Sequence, residues 1–406
     1  MKFHYLCNDC GAEYPSDALI YRCPACSGKA GEGEMQRGNL RTVIDLELLN
    51  ELGRRESVTF FDFFPYPVPT PEAYPVGNTP LSGPVGLREK YKTPKLLLKN
   101  DGMNPSGSFK DRASQLVVGQ AKHFGEKTIA LASTGNAGSA MACAGAAYGL
   151  DIVLFVPETA PRNKLMQSVL YGARVVPVKG TYDAAFGLSI EFTQKHGGIN
   201  RNTAYNPMTI EGKKSISIEL FNQLGRRAPE YVYVPVGDGV IYSGVVKGFK
   251  DLLDAGLIET LPKVICVQSE KSNAIALAWE SGEMKALKAA TTKADSISVA
   301  SPANGRMAVD LIHECDAWAT QVSDESIIAA EIELCAEAGL FAEPAASAAW
   351  AGYKADLASG KISPEAEAVI LLTGTGFKDM KAVEDEVAMP KSVEPKLAAV
   401  EAFLFG

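Results

Sequence analysis

Three short segments hold the residues best suited to chemistry. Asn104-Pro105-Ser106-Gly107-Ser108-Phe109-Lys110-Asp111-Arg112 puts Lys110 in the first turn of a predicted helix. The helix dipole favours anions there, so a lysine is electrostatically misplaced. A lysine with a depressed pKa is what Schiff-base chemistry needs. Ser133-Thr134-Gly135-Asn136 runs from a predicted strand into an Ala-rich helix, and its N–H groups and hydroxyls suit an anion such as a substrate carboxylate. Val236-Gly237-Asp238-Gly239-Val240-Ile241 is a third strand-to-helix turn, of a kind that cradles a phosphate.

A fourth constellation lies at the start of the chain. Cys7, Cys10, Cys23 and Cys26 form two C-x2-C pairs, each followed by a glycine or Ser-Gly. Two such turns present four thiolates to a tetrahedral zinc ion, so residues 1–40 read as a zinc ribbon with a structural zinc remote from catalysis. A metal-free ribbon and a pair of disulfides are the alternatives, and the absence of any export signal disfavours disulfides. Cys143, Cys266, Cys315 and Cys335 sit in apolar surroundings and read as small core residues.

The elements that must position these residues alternate. Apolar runs at 96–98, 128–132, 152–156, 174–178, 231–236, 263–268 and 368–372 predict buried strands. Helical stretches are expected at 108–123, 136–148, 162–171, 182–195, 213–224, 242–255, 325–338 and 344–358, several ending at glycine. Strand–helix–strand order with near-continuous apolar strands predicts an α/β fold with parallel sheet covered on both faces. Ligands then bind where strand ends feed helix N-termini. Seven prolines between 60 and 85 predict an extended wrapping arm. Residues 381–406 read as a packed tail or an oligomer contact.

Composition narrows the function. With 40 Lys and Arg against 48 Asp and Glu, the net charge of −8 argues against general binding of nucleic acid or anionic membrane. No apolar run approaches the ~20 residues of a bilayer span, and a cytoplasmic protein is expected.

Together the motifs resemble the fold-type-II family of pyridoxal-phosphate enzymes, threonine synthases in particular. Asn104–Arg112 is similar to the lysine motif of those synthases and Ser133–Asn136 to the family's asparagine loop. Val76–Leu81, Gly339–Ala345 and Leu372–Asp379 are similar to further synthase segments, and some synthases carry an amino-terminal ribbon. The resemblance covers about residues 75–380. It implies pyridoxal 5'-phosphate on Lys110, with Asn136 at the ring hydroxyl and Gly237, Asp238, Gly239, Val240 and Ile241 at the cofactor phosphate. It further implies Thr373 at the pyridine nitrogen and Ser133 and Thr134 at the substrate carboxylate. Residues 41–111 with 213–390 would form a large cofactor domain and 112–212 a small one, 391–406 a tail, and the enzyme would be a homodimer acting on a small amino acid.

Two departures bear on the substrate. Thr209 stands where such synthases often carry a phosphate-binding arginine, and Asp238 replaces an asparagine, with Val240-Ile241 in place of a Gly-Asn. A phosphate dianion needs a cation. Arg162 is nominated, with Lys213 second and Lys164 and Lys214 as further candidates. The expected reaction converts O-phosphohomoserine and water to threonine and phosphate. The alternatives are a β-eliminating or β-replacing enzyme acting on serine, threonine or O-phosphoserine, and a ribbon protein with an inactive core used for binding.

Overall fold

The computed structural model describes residues 2–68, 74–384 and 386–405. Three sheets organise them. The first is antiparallel, with β1 (Phe3–Cys7) between β2 (Glu13–Pro15) and β3 (Leu40–Ile44). Phe3, Tyr5 and Cys7 alternate inward along β1, the period-2 pattern of a half-buried strand. Because β3 closes this sheet, the amino-terminal lobe extends to Ile44, past the boundary expected at residue 40.

The largest sheet has β4 (Leu81–Ser82), β5 (Leu96–Asn100), β10 (Tyr231–Pro235), β11 (Lys263–Ser269), β12 (Ala319–Val322) and β13 (Ala368–Leu372) in the order β12-β11-β10-β13-β5-β4. All pairs are parallel except the edge strand β4. The third sheet, β8-β7-β6-β9, is parallel throughout, from β6 (Thr128–Ala132), β7 (Asp151–Pro157), β8 (Arg174–Val178) and β9 (Ile199–Asn200). All five residues of β13 are buried, as expected for a strand covered on both faces.

Most expected helices form within two residues of their expected ends. The exception is 213–224, where a short helix Met208–Glu211 and a 3-10 turn precede the helix Ser215–Gln223. The expected 242–255 helix begins earlier, at Val240, so Val240 and Ile241 belong to its first turn. Strands β9 and β12 and the helices Ala274–Ser281 and Gly305–Glu314 have no counterpart in the expectation, being short or without glycine punctuation. Of the proline arm, Pro69 and Pro71 lie outside the described residues. Around them the arm is anchored, with Phe63, Phe64, Tyr66 and Tyr74 in the main hydrophobic core. The carboxyl-terminal residues are not packed as a tail: the helix Leu397–Phe405 buries none of its residues. Among the described residues no helix is long and apolar enough to cross a membrane.

Candidate active site

Sheet order explains which loops meet. β10, β13 and β5 are neighbours and parallel, so the turns after them lie side by side at their carboxyl ends. Those turns carry Gly237, Thr373 and Lys110. They line one cavity together with Asp238, Gly239, Val240, Ile241, Lys213, Thr203, Ser296 and Glu343. An adjoining cleft is lined by Gly135, Asn136, Ser139, Gln167, Lys378 and again Ser296 and Glu343. Ten of the candidate residues named from sequence, Lys164 and Lys213 among them, line the cavity or the adjoining cleft.

Lys110 is the first residue of the helix Lys110–His123. Its loop is pinned to the β13 exit. Phe109 donates its N–H to the Thr373 carbonyl (2.8 Å) and Thr375 its N–H to Gly107 (3.1 Å), with Ser108 bridged to Gly374. Gly107 takes φ +86°, a left-handed conformation that favours glycine. Beneath the lysine, Asp111 accepts from Ser106 N–H (3.0 Å), Ser106 Oγ (2.8 Å) and the Tyr74 hydroxyl. Burial pushes Asp111 up to about 6 against those hydrogen bonds. Arg112 is fully buried between Asp101 (2.6 Å) and Glu219 (2.8 Å), which fixes the helix from behind. Burial lowers the Lys110 pKa, opposed by Glu343 and assisted by the like charge of Arg201. The depression thus comes from burial and Arg201, not from the helix start that the sequence pointed to.

Asn136 opens the helix Asn136–Tyr148 and donates Nδ2 to both Glu343 oxygens (3.1 and 3.0 Å). Glu343 is buried, and burial raises its pKa against Lys110 and the Asn136 hydrogen bonds. Glu343 N–H is tied to the Gly374 carbonyl (3.0 Å), and a Cβ on Gly374 would meet the Glu343 carboxylate at 2.6 Å. Gly374 is therefore required for the acid to sit where it does. Sequence reading quoted the segment of Glu343 without giving the acid a role; its position before Pro344, at a helix start facing the β13 exit, emerges only from the strand pairing.

The glycine turn fits a phosphate. Gly239 has φ +84°, and a Cβ there would meet the Asn304 carbonyl at 2.9 Å. The helix Val240–Asp254 then offers its first-turn N–H groups to the cavity. Asp238 accepts from Ala303 N–H (3.3 Å), and burial raises its pKa. Asn304 braces the turn, giving Nδ2 to Ser243 Oγ (2.7 Å) and its N–H to the Asp238 carbonyl (3.0 Å). Lys110, this turn and the buried Thr373 at the cavity wall suit a phosphorylated aromatic aldehyde such as pyridoxal phosphate.

Other expected residues are placed differently. Ser133 Oγ accepts from Gly138 N–H (3.0 Å) and Gly135 N–H (3.3 Å), so it holds the loop and the helix start. Thr134 is half-buried in the same turn and lines neither space. Thr209 donates to the Asn206 carbonyl (2.7 Å) and accepts from Ala204 N–H (3.1 Å), closing its own turn. Arg162 starts the helix Arg162–Leu170 exposed to solvent and lines neither space. Lys214 is neutralised by Glu211 (3.0 Å) and Asp251 (2.8 Å), and Lys164 by Asp295 (2.7 Å). Lys213 does line the cavity. Arg201, buried just past β9, was missed because a two-residue strand leaves no periodic signal.

The four amino-terminal cysteines hold their sulfurs within 4.8 Å of one another, with Cys10 and Cys23 Sγ 3.7 Å apart. A tetrahedron with Zn–S near 2.3 Å has edges of roughly 3.8 Å. The donor set fits zinc. The lobe that carries the cysteines packs against residues that support the cavity. Asn39 donates to Asn304 Oδ1 (2.6 Å), the residue bracing the glycine turn, and Tyr21 accepts from Asn200 N–H (2.9 Å) beside Arg201. Cysteine spacing groups the four thiols and says nothing of where the lobe docks.

Fold and site together define a fold-type-II enzyme that uses pyridoxal phosphate. A family model described as pyridoxal-phosphate dependent enzyme matches residues 73–374, and the chain belongs to that family. It is 32% identical to a threonine synthase of Methanosarcina acetivorans, over 100% of this chain and 99% of the relative. It is also 32% identical to a threonine synthase of Methanocaldococcus jannaschii, over 96% of this chain and 95% of the relative. Solved structures similar in fold include threonine deaminase isoform 2 of Solanum lycopersicum, with TM-score 0.67 and 23% identity over 78% of this chain and 91% of that one. Maize serine racemase aligns with TM-score 0.68 and 18% identity, over 84% of this chain and 96% of that one.

Proposed function

We propose that this enzyme is a threonine synthase, converting O-phosphohomoserine and water to threonine and inorganic phosphate. The observation that carries the reading is the end-to-end match to two archaeal threonine synthases, in a chain that closes a cavity around Lys110. In the reaction the substrate loses a proton at Cβ and its Cγ–O bond breaks, the electron pair leaving with phosphate. A proton is returned at Cγ, and water gives its hydroxyl to Cβ and its remaining proton to the phosphate.

Pyridoxal phosphate, when bound, supplies the electron sink for carbanion chemistry next to the amino group. The chain's own residues do the rest. Lys110 Nζ, kept below the ordinary lysine pKa by burial, holds the cofactor and afterwards takes and returns protons. Asn136, its amide oriented by Glu343, would hold the hydroxyl side of the ring. Thr373 would offer a neutral hydroxyl to the ring nitrogen, and the N–H groups from Gly237 to Ile241 would take the cofactor phosphate. The backbone of the Ser133–Asn136 loop receives the substrate carboxylate, with Ser133 stiffening that loop.

The same reading assigns a structural zinc to the four cysteines and a small domain, residues 112–212, built on the β8-β7-β6-β9 sheet. It also assigns a homodimer, supported by the exposed apolar helix Leu397–Phe405, whose Leu397, Phe403 and Leu404 face solvent in the single chain. Light scattering tests the dimer: the mass should be twice 43.3 kDa, and a monomer at micromolar concentration contradicts it.

A second reading, β-elimination or β-replacement on serine, threonine or O-phosphoserine, is favoured by one observation. Thr209 closes its own turn and gives a substrate phosphate no cation. One assay separates the two. Incubating the cofactor-loaded protein with O-phosphohomoserine should release threonine and phosphate in equal amounts. No phosphate from that substrate, with a 2-oxo acid from serine or threonine, replaces the first reading by the second.

A further inference from the structure

Among the described residues, two fully buried cations have no counter-charge. Arg201 is fully buried at the carboxyl end of β9; its Nη1 donates to Thr203 Oγ1 (2.9 Å), and its buried Nε and Nη2 have no acceptor. Lys213, also fully buried, spends one N–H on the Thr209 carbonyl (2.8 Å) and has no carboxylate within ion-pair reach among the described residues. The protein treats its other fully buried cations differently. Arg112 meets Asp101 and Glu219, Lys99 meets Glu219, and Lys214 meets Glu211 and Asp251. An uncompensated buried charge is strongly destabilising, so an orphaned pair is retained where something else supplies the anion.

Lys213 lines the cavity and Arg201 stands behind its wall. Thr203 lines the cavity too, and it is the residue Arg201 holds. Lys213 packs against the first turn after the glycine loop, since a Cβ on Gly244 would meet Lys213 Cβ at 2.5 Å. Charged groups acting on the pair are Lys110, which repels Lys213, and the acids Asp238 and Asp111. Asp238 is already engaged by Ala303 N–H and Asp111 by Ser106 and Tyr74. Burial accordingly takes Arg201 down to about 10 and Lys213 well below its ordinary value. The first-turn N–H groups at Val240 and Ile241 suffice for one phosphate. Arg201 lies off another strand, in another sheet, with two donors unspent.

We propose that Arg201 and Lys213 are the receptor for the substrate's own phosphate, the leaving group, separate from the glycine turn that takes the cofactor phosphate. The inference rests on the threonine-synthase reading and names how this chain, with Thr209 turned inward, meets the substrate dianion. An arginine fork gives two hydrogen bonds to such a group, and a lysine adds a point charge. Held this way, the departing phosphate carries its electron pair into a positive corner, which favours Cγ–O cleavage.

Phosphate esters reach the site from two sources, cofactor and substrate, and the test separates them. The probe is inorganic phosphate, titrated into cofactor-loaded protein by calorimetry, with bound pyridoxal phosphate counted after alkaline release. Arg201→Met should weaken phosphate binding between about 10- and 100-fold, the loss of hydrogen bonds to a charged group. Cofactor content should stay that of the parent, and KM for O-phosphohomoserine should rise more than kcat falls. Parent-like phosphate affinity overturns the proposal. So does a loss of cofactor content with unchanged phosphate affinity in the loaded fraction, which would make Arg201 a cofactor ligand. If Arg201→Met does not fold, Arg201→Lys and Lys213→Met are read the same way: weaker phosphate binding at full cofactor content supports the receptor, and unchanged binding overturns it. A parent that binds phosphate through Arg201 yet does not turn over O-phosphohomoserine refutes the function and leaves the receptor standing.

Discussion

The amino-terminal lobe and the Lys110 cavity are built on opposite plans. Four cysteine sulfurs converge from residues 7 to 26, within one stretch of chain and one small sheet. The cavity and its adjoining cleft draw Lys110, Asn136, Thr203, Gly237, Glu343 and Thr373 from six separate segments and two sheets. A local site is encoded by spacing alone. A distributed site is encoded by strand order, which brings loops from distant parts of the chain to common strand ends. The two regions nevertheless touch, through Asn39 on Asn304 and Asn200 on Tyr21. The lobe is thus a brace for the glycine turn and for the loop that carries Arg201.

The sharpest way to break this comparison is to remove one central group from each region. Lys110→Ala should cut turnover by at least about a thousandfold and abolish the visible absorbance of bound cofactor, since nothing else supplies the amine. The double change Cys7→Ser, Cys10→Ser should release the metal and lower Tm, because such a metal lends folding energy locally. Turnover in its folded fraction should fall by less than about tenfold. A cysteine variant that stays folded, keeps its cofactor and is as inactive as Lys110→Ala would erase the division between brace and catalyst.

Smaller changes sharpen it. Gly374→Ala drives a methyl group into the Glu343 carboxylate and should break its contact with Asn136. Turnover should fall about tenfold, the worth of a hydrogen bond to a charged group, with metal content unchanged. Asn39→Ala removes the brace from Asn304, and cofactor affinity should weaken about fivefold, near 1 kcal/mol. Equilibrium dialysis measures it, and parent-like affinity would make the lobe a bystander.

The smallest effect is one of pH. Lys213 is held below the ordinary lysine value of 10.5 by burial and by Arg201. A base so depressed destabilises the fold as pH falls below 10.5, because the unfolded chain binds the proton more readily. Lys213→Met, measured without phosphate, should therefore raise Tm by about 2 °C or more at pH 7, and the gain should vanish near pH 11. An unchanged Tm at pH 7 would mean that the charge is already compensated.

How much of this was legible in the sequence follows the same division. The cysteines, the lysine loop and the glycine turn could be read because each is a run of special residues at a strand end. The parallel sheets were legible from apolar runs, and the strands missed, β9 and β12, are short. Arg162 was nominated as a cation at an expected helix start, yet it faces solvent, while Arg201 follows a strand too short to predict. Asn39 and Tyr21 gave no signal, because docking of the lobe depends on surfaces far apart in the chain. Burial decides which cation matters, and one sequence does not display burial of a single charged residue.

Everything about the distributed cavity depends on Lys110 carrying the cofactor. Reduction of the cofactor-loaded protein with borohydride, followed by peptide mapping, tests this directly. The pyridoxyl group should be found on the peptide spanning Ser106-Gly107-Ser108-Phe109-Lys110, at one equivalent per chain. The same group recovered on Lys213, Lys378 or any other lysine would contradict it.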